Sequence, residues 1–275
     1  MDNLDNFVRI GEGVQAEVFL RPDGSVLKLW RTALPHESIE REANALGALA
    51  DFPGIAPTLL DVVEVRGRPG LVLERVEGGG LAGALRSRPW SVGRTARALA
   101  ECHARIHAIE APASLPALKD DLRLRIECAD RLPPELAVFA LEVLETLPEA
   151  DRLCHGDFHI ANVLGTFGRP TVIDWPNATR GDPDADVAHT NILHRFGRPR
   201  EGTNRVERAA VNLGRRAFAS RYLSAYRSVR PLEPQRLERW ETVRAAARLA
   251  TGVPGEAQAL LRFLERRRAA AEHER

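Results

Sequence analysis

The 275-residue sequence contains few cysteines and no long apolar run. Its three cysteines, Cys102, Cys128 and Cys154, are an odd number at wide spacing, which favours neither a disulfide framework nor a zinc cluster. No stretch approaches roughly 18 uninterrupted apolar residues, so no membrane span is expected. The first residues also lack the basic and apolar regions of a signal peptide. These absences predict a cytoplasmic protein.

An excess of charge of one sign is absent as well. The net charge is +1, from 39 basic and 38 acidic residues, and gives no reason to expect nucleic acid as a partner. The apolar fraction of 44% is ordinary for a globular protein. The length is sufficient for one large domain or for two lobes, each with a substantial core.

The most informative stretch runs from Leu153 to Asp186. It reads LCHGDFHIANVL, then a glycine-containing turn, then TVIDWPNATRGDPDAD. Short apolar segments at 163–164 and 171–173 predict two strands of a hairpin, which would hold the neighbouring polar residues rigidly. Asp157 precedes Asn162 by five residues, and Asp174 follows the second apolar segment.

These three side chains suit a magnesium–nucleotide site. Hard divalent cations prefer carboxylate and amide oxygens, with waters and phosphates as further ligands. In an HxDxxxxN arrangement the Asp accepts a substrate hydroxyl proton, the Asn holds a metal, and a later Asp bridges metal and phosphates. Asp157, Asn162 and Asp174 fit these roles in that order. An isolated Asp or Asn in a loop more often caps a turn, but the combination favours the functional interpretation.

Near the amino terminus, two predicted strands flank the segment GEGVQA. A glycine loop of this kind lets backbone amides approach phosphate without an intervening side chain, so Gly11 and Gly13 are candidate nucleotide-binding residues. Ala16 stands where a GxGxxG loop would have its third glycine. A plain hairpin is equally compatible with the segment.

Lysine is scarce in this sequence. Lys28 and Lys119 are its two lysines among 39 basic residues, and Lys28 lies on a predicted apolar strand at 25–30. Where the composition so favours arginine, a lysine on such a strand suggests that a compact ammonium is required. A buried ammonium needs a partner, and Glu42 lies beside the apolar stripe of a helix predicted at 36–50. A glutamate on an amphipathic helix is usually solvated, which remains the alternative for Glu42.

A change in composition suggests where the chain divides. Strand-rich sequence ends after a predicted hairpin at 59–76, whose strands at 59–65 and 71–76 are joined by the turn GRPG. Helix-rich sequence begins after Glu77–Gly80, with helices predicted at 92–109, 187–196, 204–227, 234–250 and 255–271. We therefore expect a nucleotide-binding lobe at 1–76, a hinge at 77–80, and a helical catalytic and substrate-binding lobe at 81–275. Small ligands commonly bind in clefts between lobes. Glu74 and Val76, next to the hinge, are assigned to nucleotide binding.

Two further groups of residues permit a functional and a structural interpretation. His103 and His107 have the i, i+4 spacing of zinc ligands, but no HExxH context or third ligand accompanies them, so packing is favoured. Tyr222, Tyr226 and Trp240 could form an aromatic wall for a cation. Aromatic residues at helical spacing more often belong to the core.

Taken together, these residues resemble the aminoglycoside phosphotransferase and choline kinase group of small-molecule kinases. The resemblance is carried by Lys28, Glu42, HGDFHIAN at 155–162, IDW at 173–175 and GDPDADVA at 181–188. It implies an α+β, protein-kinase-like fold with a small N-terminal β-sheet lobe containing one main helix and a larger, mostly helical C-terminal lobe.

The resemblance also implies residue roles. ATP or GTP with Mg²⁺ would bind between the lobes, Asp157 would be the catalytic base, and Asn162 and Asp174 would hold the metal. Lys28 would contact the α and β phosphates, and Glu42 would orient Lys28. Asp186, not counted among the reacting groups, resembles the buried aspartate that braces the catalytic loop.

The phosphate acceptor is expected to be a hydroxyl of a small molecule such as an aminoglycoside, a sugar or an amino alcohol. The segment between Asp174 and Asp186 is too short to support a peptide platform, which disfavours a protein kinase. From Arg195 to Arg275 the chain has 19 arginines and nine glutamates, which suits a polycation poorly, although acidic helices at 120–151 could supply carboxylates.

Two rival functions remain at this stage. GDFH at 156–159 also resembles the GDxH of metallophosphoesterases, but the later GNH and GHxH motifs of that class are absent. A degenerate kinase fold could bind nucleotide without turnover, although the set of Lys, Glu, Asp, Asn and Asp is complete.

Overall fold

The first part of the chain folds into a five-stranded antiparallel sheet. The computed structural model describes residues 6–13, 15–31, 36–197, 205–253 and 255–273. The strands of this sheet are β1 (Val8–Glu12), β2 (Ala16–Leu20), β3 (Val26–Trp30), β4 (Leu59–Val65) and β5 (Arg68–Leu73). Their order across the sheet is β1-β2-β3-β5-β4. The central strand β3 pairs with β2 and β5, and Lys28 lies opposite Leu71.

One helix, α1 (His36–Ala48), covers a face of this sheet. Its residues Ile39 and Leu46 belong to the same buried cluster as Leu71 and Leu73 of β5. The apolar positions recur at helical spacing, so a single stripe of α1 meets the sheet. This packing fixes the orientation of α1, so that Glu42 is directed toward the sheet. Its side chain is buried, with 1% exposed.

The rest of the chain is mostly helical. Its helices are α2 (Leu81–Ser87), α3 (Val92–Ile106), α4 (Leu118–Glu127), α5 (Pro134–Glu145), α6 (Pro183–Phe196), α7 (Arg205–Val229), α8 (Pro234–Arg248) and α9 (Ala257–His273). Two small antiparallel pairs interrupt them: β6 (Arg152–Cys154) with β9 (Thr179–Gly181), and β7 (Val163–Thr166) with β8 (Arg169–Val172). No described helix has the length and apolar character needed to cross a membrane.

The helices α6 and α8 form the centre of this helical part. Residues 183–192 of α6 are all buried, as are Trp240 and residues 245–247 of α8. Small alanines on α8 allow a close approach to α6, because they place little side-chain volume between the two backbones. The loops that precede α6 therefore rest on a densely packed support.

The predicted α+β class, with a small sheet, one main helix and a larger helical part, is confirmed. Several predicted boundaries differ. Helix α6 begins at Pro183 rather than Val187, because the Asp182 side chain accepts a hydrogen bond from the Asp184 amide (2.9 Å) and caps the first turn. The strand predicted at 71–76 is β5, which begins at Arg68 and ends at Leu73.

Other boundaries shift by a few residues. The helix predicted at 92–109 ends at Ile106, and the one predicted at 36–50 ends at Ala48. Gly11 lies within β1 rather than in the turn after it. Two predicted positions, Val14 of the glycine loop and Asn204 at the start of the α7 prediction, lie outside the described residues.

Candidate active site

Lys28 joins the sheet, helix α1 and the loop after β8. Its Nζ donates to both carboxylate oxygens of Glu42 (2.8 and 2.6 Å) and to Oδ1 of Asp174 (2.6 Å). The expected pairing between Lys28 and Glu42 is therefore present. Asp174, which follows Lys28 by 146 residues in the sequence, contacts the same ammonium. Burial alone would lower the pKa of Lys28, but the two carboxylates outweigh it and raise that pKa. The ammonium is thus held in its charged form.

The β7–β8 hairpin brings Asn162 and Asp174 close together. Val163 pairs with Val172, and the amide of Ile173 donates to the carbonyl of Asn162 at 2.9 Å. Asp174 then adopts a left-handed backbone conformation with φ of 71°. A non-glycine residue in this region costs roughly 1 kcal/mol or more, so the surrounding contacts must maintain it. Such strain is common where a side chain is aimed at a ligand.

Asn162 is fixed by the loop that carries Asp157. Its Nδ2 donates to the backbone carbonyl of Asp157 at 3.1 Å, so the amide oxygen is directed to the other side of the group. The Asp174 carboxylate is held in its ionised form, because Lys28 lowers its pKa by more than burial raises it. An ionised carboxylate and an amide oxygen on adjacent backbone segments fit the ligand preference of a hard divalent cation.

Asp157 is partly buried and has two histidines as neighbours. Its carboxylate oxygens lie 3.7 Å from Nε2 of His159 and 3.9 Å from Nε2 of His189. Burial raises the pKa of Asp157, and His159, His155 and Arg248 reduce that effect. A base with a raised pKa is better matched to proton transfer near neutral pH than an ordinary aspartate.

The backbone just before Asp157 is held by hydrogen bonds to Asp186. The Asp186 carboxylate accepts hydrogen bonds from the amides of His155 (2.6 Å) and Gly156 (3.0 Å). Gly156 has a φ of 79°, and a Cβ there would lie 2.1 Å from the carbonyl oxygen of Asn177. The turn before Asp157 therefore requires glycine on steric and conformational grounds.

Asp186 also contacts His103 and His107, the two histidines with the spacing of zinc ligands. Nε2 of His103 lies 3.1 Å from the carboxylate and Nε2 of His107 lies 3.4 Å from it. Their Nδ1 atoms bond to the hydroxyls of Tyr222 (2.6 Å) and Tyr226 (2.7 Å). All four ring nitrogens have hydrogen-bond partners, so these side chains form a buried network. Asp186 supplies the third potential ligand that the sequence did not reveal, and the ligand atoms of His103, His107 and Asp186 lie within 4.8 Å of one another. The packing interpretation of these residues agrees with the structure.

The tyrosines are part of the core as well. Tyr222, Tyr226 and Trp240 are fully buried, and the Trp240 ring nitrogen donates to Asp182 at 3.2 Å. None of the three offers a ring face to solvent, which excludes the aromatic wall for a cation in this structure. The same side chains instead connect α3, α7 and α8 to the start of α6.

The other predicted nucleotide-binding residues lie on the sheet and on the connection to α2. Gly11 faces Val18 of β2, and the Gly13 amide donates to the carbonyl of Ala16 at 2.8 Å. Glu74 is exposed and accepts a hydrogen bond from the hydroxyl of Thr58 at 2.7 Å. Val76 is half-buried between β5 and α2. Their roles toward a nucleotide stay predictions.

Sequence reasoning assigned no role to several residues around Asp157. His159 stands in the HGDFH motif, where it could have been selected as a neighbour of Asp157. His189 on α6, with Arg244 and Arg248 on α8, has no sequence motif that would indicate proximity to Asp157. Only the packing of α6 against α8 brings these side chains to the site.

The buried histidines predict a fall in stability at acidic pH. Burial lowers the pKa of His103 to about 3, and it lowers the pKa values of His155 and His189 as well. Below about pH 6.5 the unfolded chain binds protons that the folded chain does not, so the free energy of unfolding decreases as pH falls. His103 alone accounts for about 2 kcal/mol by pH 5.

Urea unfolding at pH 7.5 and pH 5.0 measures this difference. The urea midpoint of unfolding is expected to be lower at pH 5.0 than at pH 7.5. As a control, His273→Gln changes an exposed histidine and should give the same pH response as the unchanged chain. The raised pKa values of the buried Glu42 and Glu241 oppose this fall, so a free energy of unfolding that increases at pH 5.0 would contradict neutral, buried histidines.

Comparisons with known proteins agree with this geometry. Amicoumacin kinase hAmiN, in complex with AMP-PNP, Ca²⁺ and Ami, is 16% identical, with a TM-score of 0.62 over 96% of this chain and 88% of its own. The APH(2")-IIa of a streptomycin–ATP ternary complex is 18% identical, with a TM-score of 0.57 over 97% of both chains. Macrolide 2'-phosphotransferase MphH from Brachybacterium faecium is 20% identical, with a TM-score of 0.55 over 95% of this chain and 92% of its own.

At these identities the three structures establish a shared fold and nothing finer. No curated protein sequence matches the chain. The family model described as the APH phosphotransferase enzyme family, however, matches residues 6–232, which is most of the sequence. The chain therefore belongs to the APH phosphotransferase family and is a phosphotransferase with the fold of the small-molecule kinases.

Proposed function

We propose that the protein transfers the γ-phosphoryl group of ATP or GTP to a hydroxyl of a small molecule. In this proposal Asp157 is the catalytic base, and Asn162 and Asp174 hold Mg²⁺. The observation that supports it most strongly is the contact of one ammonium, Lys28, with both Glu42 and Asp174. Asp174 is in turn linked through the β7–β8 hairpin to the loop of Asp157.

Lys28 provides positive charge where the phosphates would lie. Phosphoryl transfer proceeds through a loose transition state, so positioning and charge neutralisation account for most of the rate enhancement. Glu42 is buried and grips the ammonium with both oxygens, which fixes its direction. All three donor hydrogens of the ammonium are engaged by Glu42 and Asp174, so a phosphate oxygen would replace the Asp174 contact, and the Asp174 carboxylate would then be available to the cation.

A divalent cation at Asn162 and Asp174 would neutralise charge on the phosphates and orient them. The side chains fit this group because Asp174 is ionised and the Asn162 amide is anchored through its nitrogen. The strained conformation of Asp174 is consistent with a side chain whose direction matters for binding.

Asp157 would act on the acceptor. Its carboxylate accepts the proton of the acceptor hydroxyl as the hydroxyl oxygen bonds to the γ-phosphorus. The bond between that phosphorus and the bridging oxygen breaks, and the nucleoside diphosphate leaves with the electron pair. His159 and His189 lie within 4 Å of the carboxylate and limit its rotation.

The structural neighbours support the nucleotide and leave the acceptor open. Amicoumacin kinase hAmiN binds AMP-PNP and Ca²⁺, and APH(2")-IIa binds ATP with streptomycin. An adenine nucleotide with a divalent cation is therefore the first choice for this chain, and GTP is the alternative. Because the identities are at most one fifth of the residues, the neighbours' acceptors serve only as members of a panel.

The rival functions fit the site less well. A metallophosphoesterase would need His159 of GDFH as a metal ligand together with later GNH and GHxH motifs, but those motifs are absent from the sequence and the Nδ1 of His159 accepts from the Ala161 amide (3.2 Å). A degenerate kinase fold would be expected to lack one of the charged residues. Here Lys28, Glu42 and Asp174 are all present and in contact.

A screen of hydroxyl acceptors tests the proposed function. The purified protein is incubated with Mg²⁺ and with γ-labelled ATP or GTP, and transfer of label to aminoglycosides, sugars, amino alcohols and hydroxy acids is measured. Labelled product from at least one class, absent without Mg²⁺, is expected. Nucleotide binding without transfer to any acceptor class would favour the degenerate kinase fold.

A further inference from the structure

Two cavities border Asp157 on different sides. The first, here called the α7 cavity, has a volume of about 700 Å³ and lies among α2, α6 and α7. The second, the α8 cavity, has a volume of about 290 Å³ and is bordered by α4, α6, α8 and the loop of Gly156. Because both reach Asp157, an acceptor hydroxyl at that carboxylate could extend a substituent into either of them.

The walls of both cavities carry more positive than negative charge. Arg125, Arg244 and Arg248 line the α8 cavity, where Asp157 is the sole carboxylate among the described lining residues. The α7 cavity is lined by three arginines, two of them Arg86 and Arg215, against Asp157 and Glu256. The acidic helices at 120–151 therefore do not provide the carboxylates that a polycation would need in these walls.

The arginines of the α8 cavity differ in how far they are neutralised. Arg248 bonds to Glu256 at 3.0 Å, and Arg125 bonds to Asp121 at 2.7 Å. Arg244 is 4% exposed, and its Nε donates to a neutral acceptor, the carbonyl of Ala185, at 3.0 Å. Its Nη2 has no hydrogen-bond partner among the described residues. The Asp186 carboxylate lies 3.8 Å from this nitrogen, close enough for an ion pair but beyond hydrogen-bond distance, so the charge of Arg244 is partly balanced while this donor stays unused.

His189 is a second buried side chain in the wall of the α8 cavity with an unused polar atom. It lines the α8 cavity, it is 7% exposed, and its Nδ1 has no hydrogen-bond partner among the described residues. Burial lowers its pKa, and the nearby Arg244 and Arg248 lower it further. A buried arginine and a neutral histidine with unused donor capacity are stabilised by an oxyanion, since each lost hydrogen bond of a buried polar group is costly.

We propose that the acceptor is a hydroxylated compound with a small anionic group, a carboxylate or a phosphate, which binds in the α8 cavity between Arg125, Arg244 and His189. This inference rests on the proposed function, because it concerns the second ligand of the same site. Arg125 supplies an Nη2 that also donates to Asn177 Oδ1 at 3.1 Å, beside the loop of Gly156. An acceptor held at this point has its hydroxyl end free to reach Asp157, which borders the same cavity.

The structure provides a matched pair of arginines for the test. Arg125 and Arg123 lie on the same helix, but Arg123 is exposed and pairs with Glu145, away from the cavity. Arg125→Gln therefore removes a cavity charge, while Arg123→Gln removes the same charge from the same helix elsewhere. His189→Asn is a second cavity variant, for the case in which Arg125→Gln fails to fold.

Binding is measured first, without turnover. Inorganic phosphate and D-glycerate are titrated into each protein at constant ionic strength, with choline and glycerol as comparison compounds, and the melting temperature is followed. Both anions are expected to stabilise the unchanged chain and Arg123→Gln, with an apparent Kd about tenfold higher or more in Arg125→Gln. Lys28→Met, which alters the nucleotide site, should retain the response. No stabilisation by either anion, or an unchanged response in Arg125→Gln, overturns the proposal.

Turnover is then compared within matched acceptor pairs, glycerol with D-glycerate and glucose with gluconate. The anionic member is expected to have a kcat/KM at least about tenfold higher, and Arg125→Gln should remove that preference through KM. A preference for neutral or cationic acceptors overturns this inference and leaves the proposed function intact. Conversely, anion binding that depends on Arg125 with no transfer to any acceptor would contradict the proposed function and not the anion site.

Discussion

Asp157→Asn is expected to lower kcat by about a thousandfold and to leave nucleotide affinity nearly unchanged. The asparagine side chain has almost the same shape, but it cannot take the proton of the acceptor hydroxyl. Nucleotide affinity should persist because the Lys28 contacts of the site are to Glu42 and Asp174 and not to Asp157. The measurement is steady-state transfer to the best acceptor of the screen, together with a titration of AMP-PNP and Mg²⁺.

A matched control is available for this substitution. Asp151 lies just before β6, is 66% exposed in its side chain and pairs with Arg180 at 2.7 Å on the surface. Asp151→Asn removes a carboxylate six residues away and should retain full kcat. If Asp157→Asn retained full kcat as well, Asp157 could not be the base.

Asp174→Asn is expected to abolish the contribution of Mg²⁺ to nucleotide binding. The substitution removes a carboxylate that Lys28 keeps ionised, and it leaves the ammonium with Glu42 as its remaining carboxylate partner. The Asp174 side chain is partly exposed, and a contact to a charged group is worth about 1.5–3 kcal/mol, which corresponds to about ten- to a hundredfold in affinity. Titration calorimetry with AMP-PNP, with and without Mg²⁺, separates the metal-dependent part from the rest.

In this titration the unchanged chain should bind the nucleotide more tightly when Mg²⁺ is present. Asp174→Asn should bind with the same weak affinity in both conditions, whereas Asp157→Asn should behave like the unchanged chain. An undiminished Mg²⁺ effect in Asp174→Asn would show that the cation is held by other residues.

The grouping of Lys28, Glu42 and Asp174 could be predicted from the sequence because short motifs and a strand pattern indicate these residues. HGDFHIAN and IDW place Asp157, Asn162 and Asp174 on two connections of one hairpin, and a single lysine on an apolar strand stands out in an arginine-rich chain. The partner Glu42 followed from helical periodicity, since it lies beside a buried stripe. Local spacing was sufficient in each of these cases.

The residues of the proposed acceptor site could not be predicted in this way. His189 belongs to α6, and Arg244 and Arg248 belong to α8, where arginines occur among alanines and glutamates at helical spacing and resemble an ordinary solvated face. Their burial depends on the angle and distance at which α6 and α8 pack, and a helical repeat does not specify either quantity. The hydrogen bond between His103 on α3 and Tyr222 on α7 could not be predicted either, because it also depends on how two helices pack.

The helix and strand boundaries that differed also have local causes. The Asp182 cap and Pro183 start α6 a turn earlier than its apolar pattern indicates. At the β4–β5 turn, Arg66 and Gly67 both have positive φ values, of 54° and 73°, which closes the hairpin within two residues. The strand β5 therefore begins at Arg68 and includes Gly70, which the sequence pattern places in the turn.

The most direct test of the proposed site is a crystal structure of the complex with AMP-PNP and Mn²⁺, in which anomalous scattering locates the cation. The site described here predicts Mn²⁺ bound by the Asp174 carboxylate and the Asn162 amide oxygen at about 2.2 Å. Lys28 should lie against the nucleotide phosphates, and Asp157 should lie beyond the γ-phosphate. An anomalous peak at another group, such as His103 and His107, with nothing bound at Asp174, would contradict it.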